Sequence, residues 1–156
     1  MKKLFLLIYI FSCISVFSQE ESSFKWWNPA EEETSLIEGR IWDTELEEAY
    51  DRLPRKAKGV VRDAVWNLSK HSAGLMIRFR SNAEEIIVRY KVKGNHAMQH
   101  MPATGVSGVD LYAIDSDGNW LWCNGRRNFG EQISYTFSGI QANDNYHEMG
   151  REYRLY

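Results

Sequence analysis

The residue types best suited to binding or shaping a ligand lie together in one polar stretch, residues 96–108, and just after it. This stretch of thirteen residues separates two predicted strands, and loops longer than a hairpin needs are often functional. His100 and Thr104 lie within it, and Asp110 and Tyr112 follow on the polar face of the next strand. We expect these four residues to face a substrate or a partner domain. The alternative is a loop that packs on its own methionine and proline side chains.

Two patterns resemble metal sites but fail on their spacing. Residues 115–119 begin like a calcium loop, but the twelfth position of such a loop is Arg126, where a bidentate glutamate is needed. His96 and His100 have the spacing of zinc ligands on a helix. The glycine and proline around them oppose a helix, and zinc would need a third ligand. We therefore expect no metal and no cofactor.

Two further patterns resemble parts of a serine esterase. Residues 105–109 approach a nucleophile motif around Ser107, but Val109 replaces its final glycine and no strand-to-helix turn is predicted. Asp144 and His147 have the spacing of an acid–base pair, but no convincing serine with oxyanion donors precedes them. We therefore predict no catalytic residue in this chain and interpret the pair as part of a solvated turn.

Trp120 and Trp122 lie two residues apart on a predicted strand, so their rings share one face. Rings on a flat face can stack on sugar rings, which makes the two tryptophans candidates for carbohydrate binding. The alternative is packing in the core, which large aromatic side chains often dominate. Exposure of both rings on one face would favour the sugar-binding interpretation.

Short alternating segments with frequent turns predict the fold. Apolar and polar residues alternate in residues 75–80, 86–93, 109–114 and 133–137, and the turn at 115–119 predicts a hairpin. The pattern indicates an all-β domain, an antiparallel β-sandwich with jelly-roll topology as one form.

One helix is predicted, over residues 44–58. Thr44 can cap its first turn, Glu47 completes a capping box, and Pro54 ends it early. Everything after Gly59 is interpreted as strands.

The first eighteen residues are typical of a signal peptide. A basic start precedes an apolar run, and small residues near Ser18 suit cleavage. The run is too short for a bilayer, which needs about 20 apolar residues. A lipoprotein signal with Cys13 as the lipidated residue is disfavoured, because the apolar run continues past it. We predict an exported protein, periplasmic or secreted.

Charge and cysteine content limit the partners of the mature chain. Removing Lys2 and Lys3 lowers the basic count from 19 to 17, against 21 acidic residues, so the net charge becomes −4. A nucleic-acid-binding surface would instead be basic. Cys123 is then the sole cysteine, so no internal disulfide can form, and we interpret it as a small buried residue.

Three segments make up the predicted organisation. The signal peptide, residues 1–18, precedes an acidic arm, residues 19–36, whose aromatic side chains we expect to dock on the sandwich domain, residues 37–156. Residues 151–156 have a half-apolar strand pattern that reaches no turn. We therefore expect the domain to be incomplete there and the chain to be a fragment of a longer protein.

Several blocks resemble the N-terminal domain of SGNH-hydrolase-type esterases. Gly108–Tyr112 resembles the family's GxDLY signature, and residues 98–105 resemble its adjoining loop. Residues 50–54 and 65–75 resemble two further blocks in the right order, so the resemblance runs from about Gly39 to the C-terminus.

This resemblance implies a β-sandwich that precedes a flavodoxin-like hydrolase domain in secreted bacterial enzymes. The second domain would carry the serine nucleophile, the Gly and Asn of the oxyanion hole and the Asp–His pair, and this sequence ends before any such block. It implies a non-catalytic accessory domain that supports the cleft of an esterase, with acyl groups on carbohydrate as candidate substrates. The implied partner is that hydrolase domain, with no nucleic acid and no membrane span. The alternative is a free-standing carbohydrate-binding module.

Overall fold

The computed structural model describes residues 24–140 and 150–156. The predicted signal peptide and the Asp144–His147 pair lie outside these residues. The described strands are β1 (Ile37–Glu38), β2 (Met76–Ser81), β3 (Glu85–Tyr90), β4 (Leu111–Ile114), β5 (Trp120–Cys123), β6 (Arg126–Phe129), β7 (Ile133–Ser138) and β8 (Arg151–Leu155).

These strands form two antiparallel sheets. The five-stranded sheet has the order β1-β2-β8-β4-β5, and the three-stranded sheet has the order β3-β7-β6. The predicted all-β fold built from antiparallel sheets is therefore confirmed.

The core lies between the two sheets, where period-two alternation turns every second side chain inward. Leu111 and Ala113 of β4 and Tyr153 of β8 face residues of β7 that are equally buried. The β7 members of this cluster are Ile133, Tyr135 and Phe137. Burying a large apolar side chain contributes about 1.5–3 kcal/mol relative to exposure, so this cluster is the main cohesive contact between the sheets.

The side of the sandwich where β2 and β3 lie is more open than the core around β4, β7 and β8. Ile77 of β2 and both Ile86 and Val88 of β3 point inward but are only half-buried, because β2 and β3 belong to different sheets and do not pair. They line a groove of about 2380 Å³, larger than the roughly 300–1,000 Å³ of a small-molecule pocket. The N-terminal arm lies there, with the Trp27 ring 5.9 Å from that of Phe79.

The helix predicted over residues 44–58 is wrong. That segment holds turns and a single 3-10 turn at Arg55–Ala57, and Glu45 has a positive φ of 57°. The prediction of strands alone after Gly59 is also wrong, because α1 (Asp63–Leu68) and α2 (Ala103–Ser107) are short helices. Among the described residues, no helix is long and apolar enough to cross a bilayer.

Hydrogen bonds made by the Glu47 and Asp51 carboxylates explain why residues 44–58 do not form a helix. Glu47, the expected partner in the capping box, instead accepts hydrogen bonds from Lys58 at 3.1 Å and Lys70 at 2.9 Å. The buried Asp51 carboxylate takes the Glu48 N–H at 3.0 Å. The contact between Lys70 and Glu47 joins residues 23 positions apart, and such tertiary contacts outweigh a weak local propensity.

Candidate functional site

One hydroxyl group holds the loop of residues 96–108 against the three-stranded sheet, and a second closes the loop on itself. The Tyr90 hydroxyl donates to the Ser107 carbonyl oxygen at 2.5 Å, and Ser107 Oγ donates to the His96 carbonyl oxygen at 2.8 Å. Ser107 is buried, and its hydroxyl is engaged with backbone carbonyl groups rather than with a base. Burial raises the pKa of Tyr90, which keeps its phenol protonated as a donor.

The glycine that begins the GVDLY segment is required by close packing. A Cβ atom at Gly108 would lie 2.3 Å from the Thr104 carbonyl oxygen and 2.7 Å from the Tyr135 hydroxyl. Both distances are below van der Waals contact, so a larger residue would push the loop away from the sheet. Gly108 thus fixes how α2 turns into β4.

Asp110 joins this loop to the centre of the five-stranded sheet. Its carboxylate accepts a hydrogen bond from Trp122 Nε1 at 3.0 Å. Its backbone N–H donates to the Tyr156 carbonyl oxygen at 3.1 Å, and the Tyr156 N–H donates to the Asp110 carbonyl oxygen at 2.9 Å. Asp110 therefore couples the loop, the indole of Trp122 and the end of β8.

Aromatic and basic side chains share the solvent face of the five-stranded sheet. Tyr112 is paired in register with Trp122 on β5 and with Arg154 on β8, and Arg154 is paired with Arg78 on β2. We call Arg78, Arg154, Tyr112 and Trp122 the outer row. With neighbouring strands about 4.8 Å apart, the row spans roughly 14 Å. Trp122 is 51% exposed.

The two tryptophans are not equivalent. The guanidinium of Arg154 lies 3.9 Å from the centre of the Trp120 ring and covers it, a cation–π contact. No cation of the described residues covers Trp122 in this way, and the exposed ring of Tyr156 meets Tyr112 edge-on at 5.8 Å. Trp122 is therefore the member of the pair whose ring is presented to solvent.

The four predicted site residues fall into two groups. Asp110 and Tyr112 lie on the outer face of the five-stranded sheet, as their alternation predicts. His100 and Thr104 are exposed on the loop, His100 beside the backbone bridge between Met98 and Met101, and Thr104 in α2. The hypothesis that all four face one substrate or partner remains a prediction.

The calcium-like segment forms a turn. Asp115 Oδ1 accepts the backbone N–H groups of Asp117 at 3.0 Å and Asn119 at 2.7 Å. The hydrogen bond from Asn119 in particular lowers the pKa of Asp115. Within residues 24–140 and 150–156, no three His, Cys, Asp or Glu side chains cluster as metal ligands would.

Cys123 has no sign of activation as a nucleophile. It is half-buried beside the core, and burial raises the pKa of its thiol. A reactive cysteine would have a lowered pKa.

A buried charged network, which motif reasoning did not find, joins two sequence blocks. Asp51 is 1% exposed and accepts a hydrogen bond from Lys70 Nζ at 2.6 Å. The Lys70 ammonium also lies 4.3 Å from the centre of the buried Trp66 ring. Arg52 adds a second link, donating to the Leu68 carbonyl oxygen at 2.6 Å. The blocks at residues 50–54 and 65–75 therefore form one structural unit.

Fold and site together define an antiparallel β-sandwich domain built around a Gly-x-Asp-Leu-Tyr entry into a central strand. A family model described as GxDLY, the N-terminus of SGNH-hydrolase-type esterases, matches residues 24–156. The chain belongs to this family, which confirms the resemblance inferred from its motifs.

A solved structure gives the second comparison. The crystal structure of a "putative GDSL-like lipase" from Bacteroides ovatus is similar, with a TM-score of 0.61 and 25% sequence identity. The match covers 78% of this chain and 34% of that chain, so the similarity extends over about a third of the neighbour's length. No curated protein sequence matches this chain.

Proposed function

We propose that this chain is the non-catalytic accessory domain of an exported bacterial SGNH-type esterase. The parent enzyme would hydrolyse carboxylic esters, with acyl groups on carbohydrate as its substrate class. Its hydrolase domain would supply the serine that attacks the ester carbonyl and the donors that stabilise the oxyanion. Membership of a family defined as the N-terminus of such esterases supports this assignment.

The pairing of Asp110 with Tyr156 is the observation that carries the proposal. Because the two backbones are hydrogen-bonded in both directions, a chain that continues past Tyr156 emerges at the base of the 96–108 loop. A hydrolase domain attached there is adjacent to this loop and to the outer row. The loop is therefore suited to form one wall of that domain's cleft.

Two side chains of types that can act as nucleophiles, Ser107 and Cys123, show no activation in this structure. Ser107 donates its hydroxyl to backbone carbonyl groups and is buried. The Cys123 thiol has a raised pKa. These features support an accessory role, in which the domain positions rather than reacts.

Replacing Asp110 in the full-length parent tests the proposed cleft wall. Asp110→Ala removes the carboxylate that holds Trp122, and we expect ester turnover to fall by about tenfold, since small misplacements near a cleft are costly. Asp117→Ala is the matched control, because Asp117 lies in the β4–β5 turn. Turnover is measured with a soluble acetyl ester, and folding by circular dichroism. Equal turnover in Asp110→Ala and wild type would contradict the proposal.

A free-standing carbohydrate-binding module is the second candidate. The exposure of Trp122 favours it, whereas the stacking of Arg154 on Trp120 removes one of the two proposed sugar platforms. The coding sequence downstream of Tyr156 distinguishes the two candidates. An in-frame hydrolase domain there supports the accessory role, and a stop codon supports the module.

Export also belongs to the proposal. The basic start and apolar run of residues 1–18 support cleavage near Ser18. N-terminal sequencing of protein recovered from the periplasm or medium tests this, with Gln19 expected as the first residue. Recovery of the intact leader in the cytoplasm would contradict it.

A further inference from the structure

We propose that the outer row is a binding subsite for a saccharide that carries a carboxylate group, such as a uronic acid. This deepens the proposed function by naming the sugar beside the ester, and it rests on that function only for the link to turnover. The binding itself depends on the described side chains alone.

Stacking is the first part of the argument. Trp122 is 51% exposed on the outer face of the sheet, and Tyr156, whose ring meets that of Tyr112 edge-on, is 48% exposed. The Trp122 ring cannot turn freely, because its Nε1 donates to Asp110 at 3.0 Å. A ring that is both exposed and fixed offers an apolar platform at low entropic cost. The flat, partly apolar face of a pyranose ring fits such a platform.

Charge is the second part of the argument. In the described part of the chain, three arginines lie on this face, and two of them have carboxylate partners: Arg78 with Glu38 at 3.1 Å, and Arg80 with Glu152 at 2.7 Å.

Arg154 has no such partner among the described residues. It forms no ion pair within residues 24–140 and 150–156, and in that part of the chain its buried Nε has no hydrogen-bond partner. Its half-buried positive charge therefore favours an anion from outside the domain.

Geometry selects a carboxylate rather than a diffuse anion. The Trp120 ring holds the Arg154 guanidinium flat at 3.9 Å, and a fixed guanidinium plane suits bidentate binding of a planar carboxylate. Arg154 is paired in register with Tyr112, and Tyr112 with Trp122, so two strand spacings, roughly 10 Å, separate the backbones of Arg154 and Trp122. A short acidic oligosaccharide can occupy both positions, whereas a lone acid group would fill only one.

The test uses the purified protein in native gels that contain polygalacturonate, with neutral galactan as the comparison. We expect polygalacturonate to retard the wild-type protein and galactan to leave it unretarded. Arg154→Gln should weaken binding by about tenfold, the loss expected for a hydrogen bond to a charged group. Trp122→Ala should weaken it by a similar factor, because it removes the stacking platform. Added salt should weaken binding as well, because the contact is partly ionic.

Matched controls separate the subsite from general effects. Trp42→Ala removes a tryptophan that is 42% exposed and lies outside the strands. Arg126→Gln removes an exposed arginine of the three-stranded sheet. Both variants should bind like wild type. If Arg154→Gln fails to fold, Arg154→Lys keeps the charge without the planar fork and should still weaken binding.

Several outcomes would overturn the inference: no retardation by polygalacturonate, equal retardation by galactan, or an equal loss in the control variants. Its failure is distinguishable from that of the proposed function. Absent binding together with reduced turnover of Asp110→Ala would remove the subsite and keep the accessory role. Binding to polygalacturonate together with unchanged turnover of Asp110→Ala would keep the subsite and remove the accessory role.

Discussion

Replacing Asp51 with alanine tests whether the buried charged network holds the first half of the domain together. Asp51 Oδ2 accepts hydrogen bonds from Lys70 Nζ at 2.6 Å and from the Glu48 backbone N–H at 3.0 Å. The side chain of Asp51 is only 2% exposed and that of Lys70 is 20% exposed. The substitution therefore leaves one ammonium and one backbone donor without this partner.

The expected cost is set by these contacts. Breaking a fully buried ion pair costs about 3–5 kcal/mol. Lys70 keeps Glu47 as a partner at 2.9 Å and keeps some contact with water, which reduces that figure. A hydrogen bond to a charged group is worth about 1.5–3 kcal/mol. We expect Asp51→Ala to lower the free energy of unfolding by about 2–3 kcal/mol, a drop in Tm of roughly 5–10 °C.

Urea unfolding followed by tryptophan fluorescence measures this change. Glu47→Ala is the matched control, because it removes the more exposed partner of the same lysine and should cost much less. The single variant Lys70→Met and the double variant complete a cycle that gives the coupling energy between Asp51 and Lys70. Asp51→Ala unfolding within about 0.5 kcal/mol of wild type would refute the reasoning. A loss no larger than that of Glu47→Ala would do so as well.

Three further predictions concern the loop and the buried phenols. Gly108→Ala should cost about 1–3 kcal/mol in urea unfolding, whereas Gly94→Ala, with open space around it, should be nearly neutral; equal effects would contradict the close packing. Tyr90→Phe removes the donor to Ser107 and should speed amide hydrogen exchange in residues 96–108; unchanged exchange would show that this bond does not hold the loop. Burial raises the pKa of Tyr90 and Tyr153, so their neutral forms stabilise the fold below about pH 10, and stability should fall as pH rises through the folded-state values. Stability that stays constant up to about pH 12 would contradict this.

Local alternation is sufficient to predict most of the strands. The predicted segments 75–80, 86–93 and 133–137 overlap β2, β3 and β7, with the predicted faces inward, because one-sided burial leaves a period-two pattern in the sequence. The hairpin around residues 115–119 is equally predictable, since Asp and Gly there have a direct role in the turn. β6 escapes prediction because Arg126–Phe129 carries only one apolar residue.

The elements that sequence reasoning misplaces depend on contacts between distant residues. The residues near Thr44 have a helical capping pattern, but Glu47 and Asp51 are engaged by lysines from outside that turn. α1 forms instead where Trp66 becomes the buried residue of a short helix. Tertiary contacts decide where these helices form, and a short segment of sequence does not include the residues that make those contacts.

The candidate site is predictable in part. The alternation of Asp110 and Tyr112 with Leu111 fixes which face they occupy. The role of Arg154 is not accessible from the sequence, because it depends on β8 lying beside β4, a pairing between strands far apart in the chain. The sequence does indicate the face of Arg154, because it alternates with the buried Tyr153, but this alternation does not show which strand lies beside it.

The position of β8 constrains the order in which this domain can assemble. The five-stranded sheet has β8 between β2 and β4, although β8 is the last of the described strands to leave the ribosome. Until residues 151–155 emerge, β2 and β4 have no common neighbour. The edge of β4 that later pairs with β8 therefore remains unpaired. A nascent chain halted before residue 151 should therefore be prone to aggregation and depend on chaperones. In the released chain, the five-stranded sheet should form in a single late step.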